Sequence, residues 1–266
     1  MDKPYRMVGQ SQALKYVLFK AEQVASTDAP VLILGEKGVG KEHVARVVHA
    51  ASGRKDCPFV KLNCAALPAH LVEAELFGRE PGAFADMRAS RTGRLELSRQ
   101  GTLFLDEVEK LPAALQPRLL RVMESGEFER QGGARTFKVN VRVISATSLD
   151  LKTEVERGHF RADLWHRLNV YPITIPPLRR RQEDIPLLVD FFVNRFNRQA
   201  GKSVRFVPPD ALRALRDYDW PGNVRELAQV IERAVIAARG TELCLAERLG
   251  TAPAGAEHPA PEYLLT

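Results

Sequence analysis

The chain of 266 residues is long enough for one large domain or two modest ones, and its 45% apolar residues suffice for a buried core. The net charge of +6 suits nucleotide or nucleic-acid partners, although the charges are interspersed along the chain. No segment approaches the roughly 20 apolar residues that cross a bilayer, and the three cysteines lack metal-ligand spacing. We therefore expect a cytoplasmic protein without a membrane segment or a cysteine-based metal site.

The first half of the chain alternates predicted helices and strands. An amphipathic helix is predicted by apolar residues at helical spacing, namely Leu14, Val17, Leu18, Ala21 and Val24. Short apolar strands are then predicted at 31–34, 59–62, 102–105, 141–146 and 170–175. The segments between them are long enough for helices, so we predict an α/β fold with a parallel five-stranded sheet covered by helices on both faces.

Beyond the last strand the pattern becomes wholly helical. A stiff basic break occupies 176–181, and helices are predicted at 185–199, 209–217 and 223–238. A Pro221–Gly222 turn followed by Asn223 predicts a stop and then an N-cap for the last helix. We therefore predict an α/β domain at 1–175, a small all-α domain at 176–250, and a disordered tail or linker, rich in Ala and Pro at its start, at 251–266.

A glycine-rich run follows the first strand and matches the spacing of a phosphate loop: Gly35, Glu36, Lys37, Gly38, Val39, Gly40 and Lys41. Glycines let backbone N–H groups point at phosphate oxygens, the following helix adds the positive end of its dipole, and the lysine reaches the outer phosphates. Glu42 stands where the general pattern has a hydroxyl for magnesium. The alternative is an ordinary glycine-rich turn, but a strand before and a helix after favour a nucleotide site.

The strand at 102–105 leads into two carboxylates, Asp106 and Glu107. Because the C-terminal ends of parallel strands line the ligand crevice, both carboxylates are expected near the nucleotide that Lys41 holds. Asp106 would bind Mg²⁺ directly or through water, and Glu107 would orient and polarise the attacking water. The alternative is an acidic strand end solvated at the surface.

Several longer motifs carry a resemblance to a known family. They are the phosphate loop, the acidic strand end, Glu75-Leu76-Phe77-Gly78, Gly158-His159-Phe160-Arg161-Ala162-Asp163-Leu164, His166-Arg167-Leu168-Asn169-Val170 and Trp220-Pro221-Gly222-Asn223-Val224-Arg225-Glu226-Leu227. From about residue 8 to about residue 249, the chain resembles the central AAA+ domain of bacterial sigma-54-dependent transcription activators. The resemblance implies the P-loop AAA+ fold with a helical lid, ATP as the nucleotide, and a ring of subunits that is expected to be a hexamer.

The resemblance also implies roles that spacing alone does not. Asn63 matches the asparagine that holds the catalytic glutamate inactive until nucleotide is sensed. Arg161 and Arg167 match arginine fingers that reach into the neighbouring subunit's site, where a guanidinium stabilises charge on the transferred phosphoryl group. Arg225 matches the second sensor on the lid. As alternatives, either finger could be a surface salt-bridge partner, and Asn63 could be a simple turn residue.

The chain departs from the family in the loop that contacts sigma-54. The family's Gly-Ala-Phe-Thr-Gly-Ala is replaced here by Gly82, Ala83, Phe84, Ala85, Asp86 and Met87. The threonine hydroxyl is lost, and a charged residue replaces a permissive glycine, which disfavours remodelling of sigma-54. Ser148 also replaces the usual first-sensor asparagine, and Val39 the usual phosphate-loop threonine, whereas Glu42 is what the family carries.

Two functions follow from these observations. The first is a Mg²⁺-dependent, ring-forming ATPase domain of a sigma-54-activator-type regulator, whose DNA contacts would come from a module absent from this chain. The alternative is a nucleotide-gated regulatory module that does not remodel sigma-54. A general P-loop machine such as a helicase loader would not explain the motifs at 75–78 and 82–84.

Overall fold

The computed structural model describes residues 7–81 and 90–245. They form two compact units, one comprising 18–34 and 41–174 and the other comprising 7–17, 35–40 and 175–245. The predicted sigma-contacting loop at 82–87 and the predicted tail at 251–266 lie outside the described residues. In the described part of the chain, no helix is long and apolar enough to cross a bilayer.

The first unit, which we call the sheet unit, contains every strand found in residues 7–81 and 90–245. These are β1 Val31–Leu34, β2 Phe59–Asn63, β3 Thr102–Asp106, β4 Glu127–Glu129, β5 Thr136–Lys138, β6 Arg142–Thr147 and β7 Tyr171–Thr174. Five of them form a parallel sheet in the order β2-β3-β6-β1-β7. The predicted five-stranded sheet is therefore confirmed, and every predicted strand end is within one residue. The antiparallel pair β4 and β5 was not predicted, because three-residue strands give almost no alternation signal.

One or two helices separate each pair of successive strands of the parallel sheet. The helices are α1 Gln12–Ala25, α2 Lys41–Ala50, α3 Ala69–Phe77, α4 Arg94–Leu97, α5 Gln116–Ser125, α6 Leu151–Glu156, α7 Ala162–Leu168, α8 Ile185–Ala200, α9 Pro209–Asp217 and α10 Asn223–Ala237. Parallel strands need such crossover connections, which is why short apolar strands and helical segments alternate in the sequence.

The central strands are buried along their whole length, as strands covered on both faces must be. One charged residue is buried in these strands: Arg142, at the start of β6, is only 1% exposed. Its guanidinium donates to the carbonyl oxygens of Val24 at 2.8 Å and Ala25 at 3.0 Å, at the C-terminal end of α1. The negative end of that helix compensates the buried cation.

The second unit, which we call the lid unit, has its own core built from α8, α9 and α10. Fully buried Trp220 lies in this core together with Leu227 and Ile231, and its indole N–H donates to the carbonyl oxygen of Leu215 at 2.8 Å. An independent core explains why the sequence pattern turns helical as a block after residue 175.

Candidate nucleotide-binding site

The acidic end of β3 has an unusual backbone. Asp106 ends the strand, and Glu107 adopts the left-handed conformation, with φ 52° and ψ 50°, before a short 3₁₀ turn at Val108–Lys110. A non-glycine residue held there costs of order 1–3 kcal/mol, and such strain is concentrated at functional sites. Within the described residues, the Glu107 carboxylate makes no hydrogen bond or ion pair. Both of its oxygens are therefore without a protein donor in this part of the chain.

Lys61, on β2, ties this acidic end to the start of α2. Its Nζ lies 3.2 Å from Asp106 Oδ2 and 2.7 Å from Glu42 Oε2, while Arg46 pairs with Glu42 Oε1 at 2.7 Å. Burial by itself raises the pKa of Glu42, but hydrogen bonds from Lys61 and Arg46 outweigh it and lower the pKa. Glu42 is thus an ionised residue engaged by two cations, next to the buried Lys41 that begins α2. Sequence reasoning missed Lys61, since no motif includes it.

Asp106 suits the single-carboxylate magnesium site that the sequence predicts. Its side chain is 18% exposed and already faces one cation, Lys61. In the described ranges no three His, Cys, Asp or Glu residues cluster as a metal cage. Mg²⁺ is usually bound by one or two carboxylates together with substrate phosphates and waters, so the donor set fits. Glu42 takes no part in this donor set, because Lys61 and Arg46 occupy its oxygens.

Asn63 lies at the end of β2, in register with Asp106 on β3. Its amide oxygen accepts a hydrogen bond from the Ala65 N–H at 2.8 Å, an Asx-type turn. In the described part of the chain the Asn63 side chain makes no hydrogen bond to Glu107, so its switching role stays a prediction. The adjacent Cys64 is buried, which with three nearby carboxylates raises its pKa to about 12 and leaves the thiol unreactive.

The first-sensor position, Ser148, is engaged within the sheet unit. Its hydroxyl donates to Glu109 Oε1 at 3.1 Å, and its backbone N–H donates to the same oxygen at 3.3 Å. The other oxygen, Glu109 Oε2, is buried and has no partner among the described residues. A serine hydroxyl has one proton, so in this conformation Ser148 has no proton to give to a phosphate.

The two predicted arginine fingers lie at the two ends of α7, Arg161 at its N-cap and Arg167 in its last turn. Arg161 pairs with Asp163 at 2.7 Å, and Arg167 donates to the carbonyl oxygen of Met123 at 2.7 Å. Both side chains are on the surface, as residues that act in another subunit must be. Buried Gln116 shapes this loop, since its amide oxygen accepts from the Arg161 N–H at 2.8 Å. Sequence reasoning missed Gln116, which lies 45 residues away from Arg161.

The phosphate loop at 35–40 belongs to the lid unit, where it approaches the start of α10 closely. A Cβ atom on Gly38 would lie 2.2 Å from the carbonyl oxygen of Gly222, and the φ of Gly38 is 81°, so only glycine fits. The carbonyl oxygen of Gly38 accepts from the Arg225 N–H at 3.3 Å. The Arg225 guanidinium makes no hydrogen bond or ion pair with the described residues and is exposed. The predicted second sensor thus starts beside the phosphate loop with its charge available.

The predicted N-cap role of Asn223 is wrong. Asn223 is the first residue of α10, and the N-cap is Gly222, which has no side chain to accept from the helix N–H groups. The Glu226 carboxylate reaches back instead and accepts from the Gly222 N–H at 2.7 Å. Asn223 has φ 53° and its amide points away from the helix, to Glu36 and to backbone groups of the lid unit. A residue with left-handed backbone dihedrals cannot aim its side chain as an N-cap does.

The remaining predicted site residues are placed as follows. Lys37 and Val39 lie in the phosphate loop, with Val39 buried, and Gly35 and Gly40 are the first and last residues of the loop. The partner-loop residues Gly82, Ala83, Phe84, Ala85, Asp86 and Met87 lie outside the described residues, so the structure gives no view of that loop.

A phosphate-loop sequence after the first strand of a five-stranded parallel sheet, an acidic strand end and a helical lid define the chain as a P-loop ATP-binding domain of the AAA+ class. The chain belongs to the Sigma-54 interaction domain family, whose family model matches residues 7–174. The model of the AAA+ ATPase lid domain matches residues 179–259. Members of this family bind ATP.

Similar proteins are transcription activators. HyfR of Escherichia coli (strain K12), a DNA-binding transcriptional activator, is 52% identical over 239 residues, which cover 90% of this chain and 36% of HyfR. The Nif-specific regulatory protein of Rhizobium leguminosarum bv. trifolii is 52% identical over 233 residues, covering 88% of this chain and 66% of that protein. The chain thus spans between about a third and two thirds of these relatives.

Solved structures agree with the fold. The crystal structures of NtrX from Brucella abortus in complex with ADP and with ATP match this chain with TM-scores of 0.83 and 0.84, both at 40% sequence identity. The matches cover 93% and 92% of this chain, and 55% and 56% of the NtrX chain. These neighbours confirm the predicted AAA+ fold class.

Proposed function

We propose that this chain is the Mg²⁺-dependent ATPase domain of a cytoplasmic sigma-54-activator-type transcription regulator and that it works as a ring, expected to be a hexamer. The observation that carries the proposal is the end of β3, where a strained Glu107 with an unpaired carboxylate follows Asp106. The division into an α/β domain at 1–175 and a lid domain at 176–250 is part of this proposal.

The chemistry follows from what each side chain can hold. Backbone N–H groups of the phosphate loop and Lys41 bind the phosphate oxygens of ATP. Glu107 orients a water for in-line attack at the terminal phosphorus and takes up its proton, and the P–O bond to ADP breaks to release phosphate. Asp106 would hold Mg²⁺, which when bound neutralises charge on the phosphates. Of the two carboxylates at this strand end, Asp106 thus serves as the metal ligand and Glu107 as the base.

The ring is part of the proposal because two cations of the family motif lie on the surface at α7. Arg161 and Arg167 would reach a neighbour's nucleotide and stabilise charge that develops on the transferred phosphoryl group. The ion pair between Arg161 and Asp163 is exposed, so it costs little to exchange for a phosphate. Arg225 would contact the nucleotide from the same subunit. Its backbone N–H donates to the Gly38 carbonyl oxygen, so its side chain begins beside the phosphate loop.

The test compares two substitutions. In Glu107→Gln the amide can still orient water but cannot accept its proton, so turnover should fall by roughly 10²- to 10⁴-fold while ATP binding is retained. In Lys41→Ala binding itself should weaken. Binding is measured with a fluorescent ATP analogue and turnover by phosphate release. Equal loss of binding in both variants would contradict the role given to Glu107.

A second candidate function is favoured by the sequence of the contact loop. Ala85 and Asp86 replace a hydroxyl and a permissive glycine, which suits a nucleotide-gated regulatory module that does not remodel sigma-54. This alternative predicts that the chain and sigma-54 elute separately on a sizing column in the presence of a transition-state analogue of ATP. A double substitution, Ala85→Thr with Asp86→Gly, should then restore co-elution. Co-elution with the unaltered chain would exclude the alternative.

A further inference from the structure

Each of the four residues from Glu36 to Val39 in the phosphate loop is held by a residue of the segment 179–225. Arg179 pairs with the Glu36 carboxylate at 2.6 and 2.9 Å, and Asn223 donates to the carbonyl oxygen of Lys37 at 3.1 Å. Arg225 donates through its backbone to Gly38, and Arg181 donates to the carbonyl oxygen of Val39 at 3.1 Å. All of these residues belong to the lid unit. The conformation of the loop is therefore set by lid residues distant in sequence.

Asn223 is the centre of these contacts. Its side chain is fully buried, its Oδ1 accepts from the Leu178 N–H at 2.8 Å, and its Nδ2 donates to Glu36 Oε2 at 3.0 Å as well as to the Lys37 carbonyl oxygen. Both donors and the acceptor of the amide are thus used. No other uncharged side chain of similar size offers this combination together with tolerance of φ 53°.

The charged part of the cluster is the pair of Glu36 and Arg179. Burial by itself raises the pKa of Glu36, but hydrogen bonds from Arg179 and Asn223 outweigh it and lower the pKa. The Glu36 carboxylate is therefore ionised at neutral pH and would repel a phosphate, so any contact that Glu36 makes with the nucleotide is through its backbone. The Glu36 side chain instead anchors the loop to the lid. Its position inside the glycine-rich run had suggested only a place in the nucleotide site.

We propose that Asn223 is a positioning residue for the nucleotide phosphates and that Arg179 assists it through Glu36. Holding the carbonyl oxygens of Lys37, Gly38 and Val39 fixes the loop backbone before the ligand arrives, so that binding does not have to order the loop. The inference rests on the proposed function insofar as the ligand is a nucleotide. It goes further by proposing that Asn223 increases the affinity for the nucleotide without contacting a phosphate itself.

The consequence is a separation of binding from chemistry. Loss of the Asn223 side chain should weaken ADP and ATP alike and raise KM, while kcat at saturating ATP stays the same, because neither Asp106 nor Glu107 is altered. The test variant is Asn223→Gly, since glycine accepts φ 53° and removes only the side chain. We expect the Kd for a fluorescent ADP analogue to rise about tenfold, the size expected from losing about one net buried hydrogen bond.

The chain offers a matched control in Asn197 on α8. Its amide also bridges backbone groups at both ends, donating to the Val204 carbonyl oxygen at 2.6 Å and accepting from the Val204 N–H at 3.0 Å. It lies in the same lid unit, but its side chain makes no hydrogen bond to a residue of the phosphate loop. Asn197→Ala should therefore lower the thermal midpoint of unfolding while changing the Kd for ADP by less than about twofold.

The outcomes are distinct. An unchanged Kd in folded Asn223→Gly, or an equal rise in Asn197→Ala, would overturn the inference. If Asn223→Gly does not fold, Arg179→Met decides, because it breaks only the half-buried pair with Glu36: a raised Kd supports the inference and an unchanged one refutes it. If the unaltered chain binds ADP without hydrolysing ATP, the proposed function fails, and the Kd comparison still decides this inference.

Discussion

Replacing Lys61 by methionine should make the domain need less magnesium. Lys61 holds Asp106 at 3.2 Å and Glu42 at 2.7 Å, and the three side chains are 35%, 18% and 34% exposed. Its ammonium therefore competes with Mg²⁺ for the Asp106 carboxylate. Methionine keeps the length and the apolar stem of the side chain but removes the charge.

The magnitude follows from the exposure. Partly exposed ion pairs are screened, so the Asp106 pair contributes at most about 1 kcal/mol, and its removal should improve apparent Mg²⁺ affinity by roughly fivefold. The Coulomb attraction between fully buried charges would give a far larger effect, because the dielectric constant of the protein interior is low, but these side chains are too exposed for that. The loss of Lys61 also leaves Glu42 with Arg46 as its cation, so α2 should begin at the same residue.

The assay is a magnesium titration at saturating ATP, followed by phosphate release and, separately, by the Mg²⁺-dependent gain in affinity for a fluorescent ATP analogue. Arg46→Met is the control, since it removes the other cation from Glu42 and should change half-saturation by less than about twofold. A higher magnesium requirement in Lys61→Met would refute the reasoning, because Lys61 would then support the metal site instead of competing with it. An equal shift in both variants would assign the effect to Glu42.

Two further predictions concern the surface and the core. If Arg161 acts in trans, mixing Arg161→Ala with Lys41→Ala subunits should recover ATP turnover, because intact sites then receive intact arginines; inactive mixed rings would remove the trans role. The pKa of His49 is lowered from 6.5, chiefly by burial, so the unfolded chain takes up a proton that the folded chain does not. Stability present above pH 6.5 should thus decline as the pH falls below it. Thermal unfolding of His49→Gln, measured beside the unaltered chain, should show a shallower decline, and an equally steep decline would contradict the role given to His49.

The strands and the acidic residues at the end of β3 were predictable because each depends on a short stretch of chain. Four buried residues at 31–34 form a run that only a covered strand explains, and all five sheet strands were placed within one residue. Asp106 and Glu107 were predictable because they directly follow such a run. The hairpin of β4 and β5 was missed, since three residues carry no periodicity.

The partners of the site residues were not predictable. Asn223 was expected to cap α10 because Asn after a Pro-Gly turn commonly does so, yet its left-handed backbone sends the amide to Glu36, 187 residues away. Lys61 likewise gave no signal, because a lone lysine in a strand is usually solvated. Ion pairs between distant segments depend on the sheet order, which alternation of helices and strands leaves open.

By itself the sequence determined the fold class, the phosphate loop and the acidic pair, because apolar periodicity, glycine spacing and strand ends are local properties of the chain. Only the tertiary structure decided which polar groups meet: Lys61 with Asp106 and Glu42, Ser148 with Glu109, and Glu36 with Arg179 and Asn223. The physical reason is that a buried or half-buried polar group must find a partner in space, and folding brings together partners that are far apart along the chain.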